Sequence, residues 1–118
     1  MENRRMFPRF GVSCAIVLMK DGVPMGDGVL CDLSAGGCAV NTATPLSRGD
    51  YLGAQVYLGE YRDLTTLVQV ELAVTRWTKP PKCGLEFIMM SSMDQQRLRQ
   101  FVERLQGSHL LKTEQLHG

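Results

Sequence analysis

Histidine is almost missing from this 118-residue chain. Both copies, His109 and His117, fall within the last ten residues. The body therefore lacks the side chain that most often serves as a base near neutral pH. Ser34 has no base partner for a nucleophilic triad, the carboxylates form no clear acid–base pair, and no P-loop or zinc-enzyme motif occurs. Catalysis is not expected. Charge of one sign is also missing: the formal net charge is +1. A binder of long nucleic acids needs a basic excess to neutralise many phosphates, and aromatics for stacking on single strands are few, at 7%. No apolar run reaches membrane-spanning length, and no secretory signal is recognisable. A cytoplasmic protein without membrane insertion is expected. The four cysteines (Cys14, Cys31, Cys38, Cys83) include no C-x-x-C pair. They are read as reduced, buried thiols; no metal site or cofactor is expected.

What is present suits one domain with one core: 44% apolar and 21% charged residues. Residues 1–10 are polar, basic and contain Pro8, and are expected to form a flexible arginine-rich arm. Strands are expected over 12–20, 23–33, 38–43, 51–58, 64–77 and 83–90. Asp21-Gly22 is a hairpin signal, and Lys79-Pro80-Pro81-Lys82 breaks the long fifth strand. Short strands with Gly/Pro turns point to a sandwich or small barrel. Ser92 and Gln95 have capping-box spacing. Leu98, Phe101, Val102 and Leu105 follow at i, i+3, i+4 and i+7, the stripe of an amphipathic helix. Gly107 is expected to stop it after about four turns. The domain then spans 11–106, with a mobile tail over 107–118.

Two motifs carry the chemistry. Arg5 and Arg9 form an Arg-x-x-x-Arg, with Arg4 directly before it. Twenty-three positions beyond Arg9 begins Asp32-x-Ser34-x-x-Gly37. Arginine is a rigid, permanently charged fork that matches phosphate oxygens or the O6/N7 edge of guanine. An ionised Asp is an acceptor and matches the N1–H and N2–H donors of guanine, which adenine lacks. Glycine lets backbone approach a ligand closely. Each motif alone has a plainer reading, as a solvated basic terminus or as the ordinary chemistry of a β-turn. Together they have the two faces a guanine nucleotide requires. Trp77 is expected to pack at a barrel rim rather than stack on a base. Met89, Met90 and Met93 are read as core filler, and Arg76, Lys79 and Lys82 as a solvated basic loop.

Arg5-x-x-x-Arg9, Asp32-x-Ser34-x-x-Gly37, the strand Gly84-Leu85-Glu86-Phe87 and the closing helix resemble a PilZ domain over about residues 3–106. The resemblance implies a mainly β fold: a six-stranded antiparallel β-barrel with a C-terminal α-helix. It also implies a non-catalytic receptor for the bacterial second messenger cyclic di-GMP. By the same resemblance, ligand contact falls to Arg4, Arg5, Arg9, Asp32, Ser34, Gly36 and Gly37, and Arg4 implies two stacked ligand molecules. The N-terminal arm is expected to change conformation on binding and signal to an unidentified downstream protein. Two competing readings are an interaction adaptor that keeps the barrel without binding nucleotide, and a small single-stranded nucleic-acid barrel.

Overall fold

The computed structural model describes residues 9–60 and 62–117, the last ten of these as backbone only. Six strands close into an antiparallel barrel: β1 (Phe10–Lys20), β2 (Val23–Ser34), β3 (Gly37–Thr42), β4 (Tyr51–Tyr57), β5 (Leu67–Lys79) and β6 (Lys82–Met89). Around the barrel the order is β1-β2-β3-β6-β5-β4. One helix, α1 (Ser92–His117), follows. The expected architecture is therefore the observed one. Closure leaves no free sheet edge, the usual liability of a small β domain.

Local chemistry explains the connections. Asp21 and Gly22 both take positive φ, 52° and 79°. That is the paired left-handed turn that matches the twist of the flanking strands β1 and β2. The fifth strand starts at Leu67 rather than 64, because Leu64–Thr66 forms a 3-10 turn. Asp63 caps that turn, its Oδ1 accepting from Thr65 N at 3.0 Å and from Thr65 Oγ1 at 2.7 Å. Those bonds stabilise the carboxylate and hold the Asp63 pKa below its ordinary value.

Alternation puts one face of each strand inside. Ile16, Leu18, Leu30, Leu33, Val40, Val56 and Val68 are buried in the barrel, and Leu98 and Val102 of α1 join the same core. One polar group is trapped there: Thr75 Oγ1 is buried and, among the described residues, has no hydrogen-bond partner.

The helix differs from expectation at both ends. The cap is Ser91, one residue earlier than predicted: its Oγ accepts from Asp94 N at 3.1 Å. The same hydroxyl donates to Asp94 Oδ2 at 2.8 Å, and Asp94 Oδ1 accepts from Gln69 N of β5 at 3.2 Å. Asp94 thus serves both the helix start and the barrel, a role Gln95 does not take. At the other end Gly107 does not stop the helix, which continues to His117. Gly107 lacks the positive φ of a left-handed stop, and a single glycine inside a helix costs only about 1 kcal/mol. The expected tail from 107 is helical to His117. The methionines also differ: Met90 packs on the core, but Met89 and Met93 are exposed.

Candidate nucleotide-binding site

β1 starts and β2 ends at the same edge of the barrel, because the two strands are antiparallel with Phe10 opposite Leu33 and Gly11 opposite Asp32. This register places Arg9, just before β1, beside Asp32. Arg9 Nε donates to Asp32 Oδ1 at 3.2 Å. Both side chains are 37% exposed, so the pair stands at the surface and is open to a ligand. The described parts of the two sequence motifs, 23 residues apart, are in contact. Arg4 and Arg5 lie outside the described residues.

The turn between β2 and β3 is shaped by Ser34. Its hydroxyl donates to Gly37 O at 3.3 Å and accepts from Gly36 N at 3.2 Å. Ser34 is itself buried, at 6% exposure. Its one proton is already used within the turn. Gly36 O in turn accepts from Phe87 N at 2.9 Å, tying the turn to β6. Gly37 is a matter of space: a Cβ there would run into Leu85 O of β6. The turn glycine thus permits β3 and β6 to close the barrel beside Asp32.

Two bulges aim side chains at this surface. In β2 the register slips between Leu30 and Asp32, opposite Val40 and Ala39. In β5 it slips between Thr75 and Trp77, opposite Leu85 and Gly84. A bulge places an extra residue in one strand and re-aims its neighbours. As a result Arg76 and Trp77 are both exposed on the outer face, while Thr75 is buried inside. Cross-strand pairs then align Asp32, Ala39, Gly84 and Trp77 in one row over β2, β3, β6 and β5. The floor of that row carries no side chain larger than a methyl group. The indole of Trp77 lies over Gly84, where a Cβ would meet its ring. Trp77 packs at the rim as expected, and it also walls the same face as Asp32. On the far rim Arg76 Nε donates to Glu86 Oε1. Arg76 is therefore paired with Glu86 rather than standing in a loose basic loop.

Behind this face the interior is apolar. Burial pushes the Cys38 thiol far above its ordinary pKa, with the nearby Cys83 adding to the effect. Cys14 and Cys83 are raised for the same first reason. Among the described residues the cysteines are free, and no group of three His, Cys, Asp or Glu side chains is placed to hold a metal ion. No described helix is long and apolar enough to cross a membrane. A depression of about 520 Å³ lies elsewhere over Gly53 and is lined by none of the described motif residues. A smaller one of about 220 Å³ joins Ala35 of the motif turn to Phe87 and to Gln95 and Arg99 of α1, so the turn and the helix share a boundary.

The sequence had no signal for the Arg76–Glu86 pair. Alternation along Gly84-Leu85-Glu86-Phe87 turns Glu86 outward, but the β5–β6 register that sets Arg76 near it leaves no mark in composition or spacing.

Comparison with known proteins agrees with this fold. The chain superposes on the structure of the Bacillus subtilis inhibitor of motility MotI/DgrA with a TM-score of 0.70 at 27% identity, covering 89% of this chain and 52% of that one. Against the Escherichia coli YcgR structure in complex with c-di-GMP the TM-score is 0.73 at 16% identity, covering 96% and 50%. Against the isolated PilZ domain of YcgR with c-di-GMP it is 0.67 at 16% identity, covering 94% and 98%. The chain thus spans about half the length of MotI/DgrA and full YcgR. No curated protein matches the sequence significantly. Residues 3–104 match the PilZ domain family, and the chain belongs to that family.

Proposed function

We propose that this protein is a non-catalytic receptor for cyclic di-GMP. The observation that carries the reading is the Arg9–Asp32 contact, which joins a phosphate- and guanine-binding fork to a carboxylate that matches guanine N1–H and N2–H. Arg9, with Arg4 and Arg5 of the same arm, grips phosphate and the O6/N7 edge of guanine. Asp32 reads the opposite edge of a base. Ser34, Gly36 and Gly37 form the turn on which that base sits, with Ser34 acting through the turn's internal bonds. Arg4 beside Arg5 supports two stacked ligand molecules per chain.

Binding changes the conformation of the N-terminal arm, and the new surface is passed on to a partner protein. The shared boundary of Ala35 with α1 offers a second route from the ligand to an outward element. The c-di-GMP complexes of YcgR support the choice of ligand. Titration calorimetry with cyclic di-GMP tests binding and stoichiometry together. Hydrogen exchange tests the switch: amides of residues 4–10 gain protection on ligand addition. No heat at tens of micromolar protein and ligand overturns the receptor reading, and unchanged exchange with binding intact overturns the switch.

A further inference from the structure

We infer that Arg76 is a second arginine contact for the messenger, on the opposite rim from Arg9, and that Glu86 is the residue that positions it. The inference rests on the receptor reading above and extends its site to β5 and β6. The two rims are built alike. Arg9 is tethered through Nε by Asp32, and Arg76 is tethered through Nε by Glu86. An arginine held at Nε keeps its end-on edge, one N–H from each terminal nitrogen, directed away from the carboxylate, and that pair is a fork that can grip guanine O6/N7 or phosphate. Among the described residues neither fork has a further partner.

The outer surface between the two pairs is almost bare. Ala39, Gly84 and Gly37 lie between them, and Trp77 covers part of it from above Gly84. From β2 to β5 the outer surface spans three interstrand steps, about 14 Å. Cyclic di-GMP carries two guanines. The arm's arginines serve the Asp32 side of the ligand, and on the Trp77 side Arg76 offers the second base a donor fork that Glu86 already orients. Alternation from the inward Thr75 turns Arg76 outward, and the β5 bulge brings Trp77 onto the same outer face beside it. An exposed ion pair contributes little to stability, so nothing in folding requires this arginine to be held there. Side-chain exposures of 58% for Arg76 and 46% for Glu86 leave the fork reachable.

The test is calorimetric titration of cyclic di-GMP and cyclic di-AMP into the wild type, R9A, R76A, R76K, E86Q and the R76A/E86Q double variant, with melting temperatures alongside. R76A is expected to weaken cyclic di-GMP binding about 10- to 100-fold. R76K, which keeps the charge but not the fork, stays close to R76A. E86Q costs less, about three- to tenfold, and nothing further when Arg76 is already absent, because its effect runs through that side chain. All variants melt within a few degrees of wild type. Should R76A unfold, R76M, which retains the aliphatic stem, carries the same expectation. R76A binding within about twofold of wild type while R9A loses affinity overturns the inference and leaves the receptor reading standing. An E86Q loss that persists in the R76A background overturns the positioning role. Absence of wild-type binding overturns the receptor reading and this extension with it.

Discussion

Replacing Arg9 with alanine separates the binding role of this side chain from its structural one. Among the described residues Arg9 makes one ion pair, 3.2 Å from Asp32, with both partners 37% exposed. Solvent screens such a pair, and its worth to folding is about 0–1 kcal/mol. For a domain of this size a change of that order moves the melting temperature by at most about 4–8 °C. Binding is a different matter. A guanidinium fork on phosphate or on guanine O6/N7 contributes charged hydrogen bonds of about 1.5–3 kcal/mol each. Losing one therefore costs one to two decades in affinity at about 1.4 kcal/mol per decade, and losing both costs more. R9A is thus expected to melt close to wild type and to bind cyclic di-GMP at least about tenfold more weakly. Calorimetric titration and thermal denaturation on the same samples read both quantities. A variant that loses much of its stability but keeps its affinity refutes the assignment, because Arg9 would then be a folding element. Unchanged values for both refute it equally.

Asp32→Asn keeps the shape but replaces one acceptor oxygen with a donor. Its discrimination between cyclic di-GMP and cyclic di-AMP should fall by about an order of magnitude, and an unchanged ratio removes Asp32 as the guanine reader. Thr75→Val deletes a buried hydroxyl that has no partner among the described residues. It should stabilise the fold by about 1 kcal/mol, seen as a higher midpoint in urea, whereas a lower midpoint would reveal an unseen partner. Burial raises the thiol pKa values of Cys14, Cys38 and Cys83 above 9.0. Below that ordinary value the thiols are neutral in both states and their contribution is complete; above it the unfolded chain ionises first. Stability should therefore decline as pH rises above about 9. A flat profile to pH 10 in a reducing buffer, compared with the triple Cys→Ala variant, contradicts the shifts.

The fold was legible because its signals are local. Asp21-Gly22 fixes a hairpin through two positive φ angles, and apolar alternation decides which face of each strand turns inward. The helix stripe through Leu98 and Val102 lies where the periodicity put it, with both side chains in the core. Its ends depart from the expected ones because caps are decided by geometry that several residues can satisfy. Ser91 and Ser92 are equivalent as sequence, and Asp94's second bond, to Gln69 N, comes from a strand 25 residues earlier. Met89 and Met93 are exposed rather than in the core because hydrophobicity reports a preference for burial and carries no information on where the core ends.

The chain by itself determined the chemistry available: arginine forks, a carboxylate, a serine–glycine turn, and a body without histidine. Residue identity sets charge and hydrogen-bonding capacity wherever the residue lies. Only the tertiary structure decided which of these groups meet. The β1–β2 register brings Arg9 to Asp32, the Ser34 hydroxyl is spent on its own turn, the β5–β6 register brings Arg76 to Glu86, and a bulge in β5 turns Trp77 to the outer face. Register and bulges are set by how six strands close around one core, and that closure is a property of all the strands together.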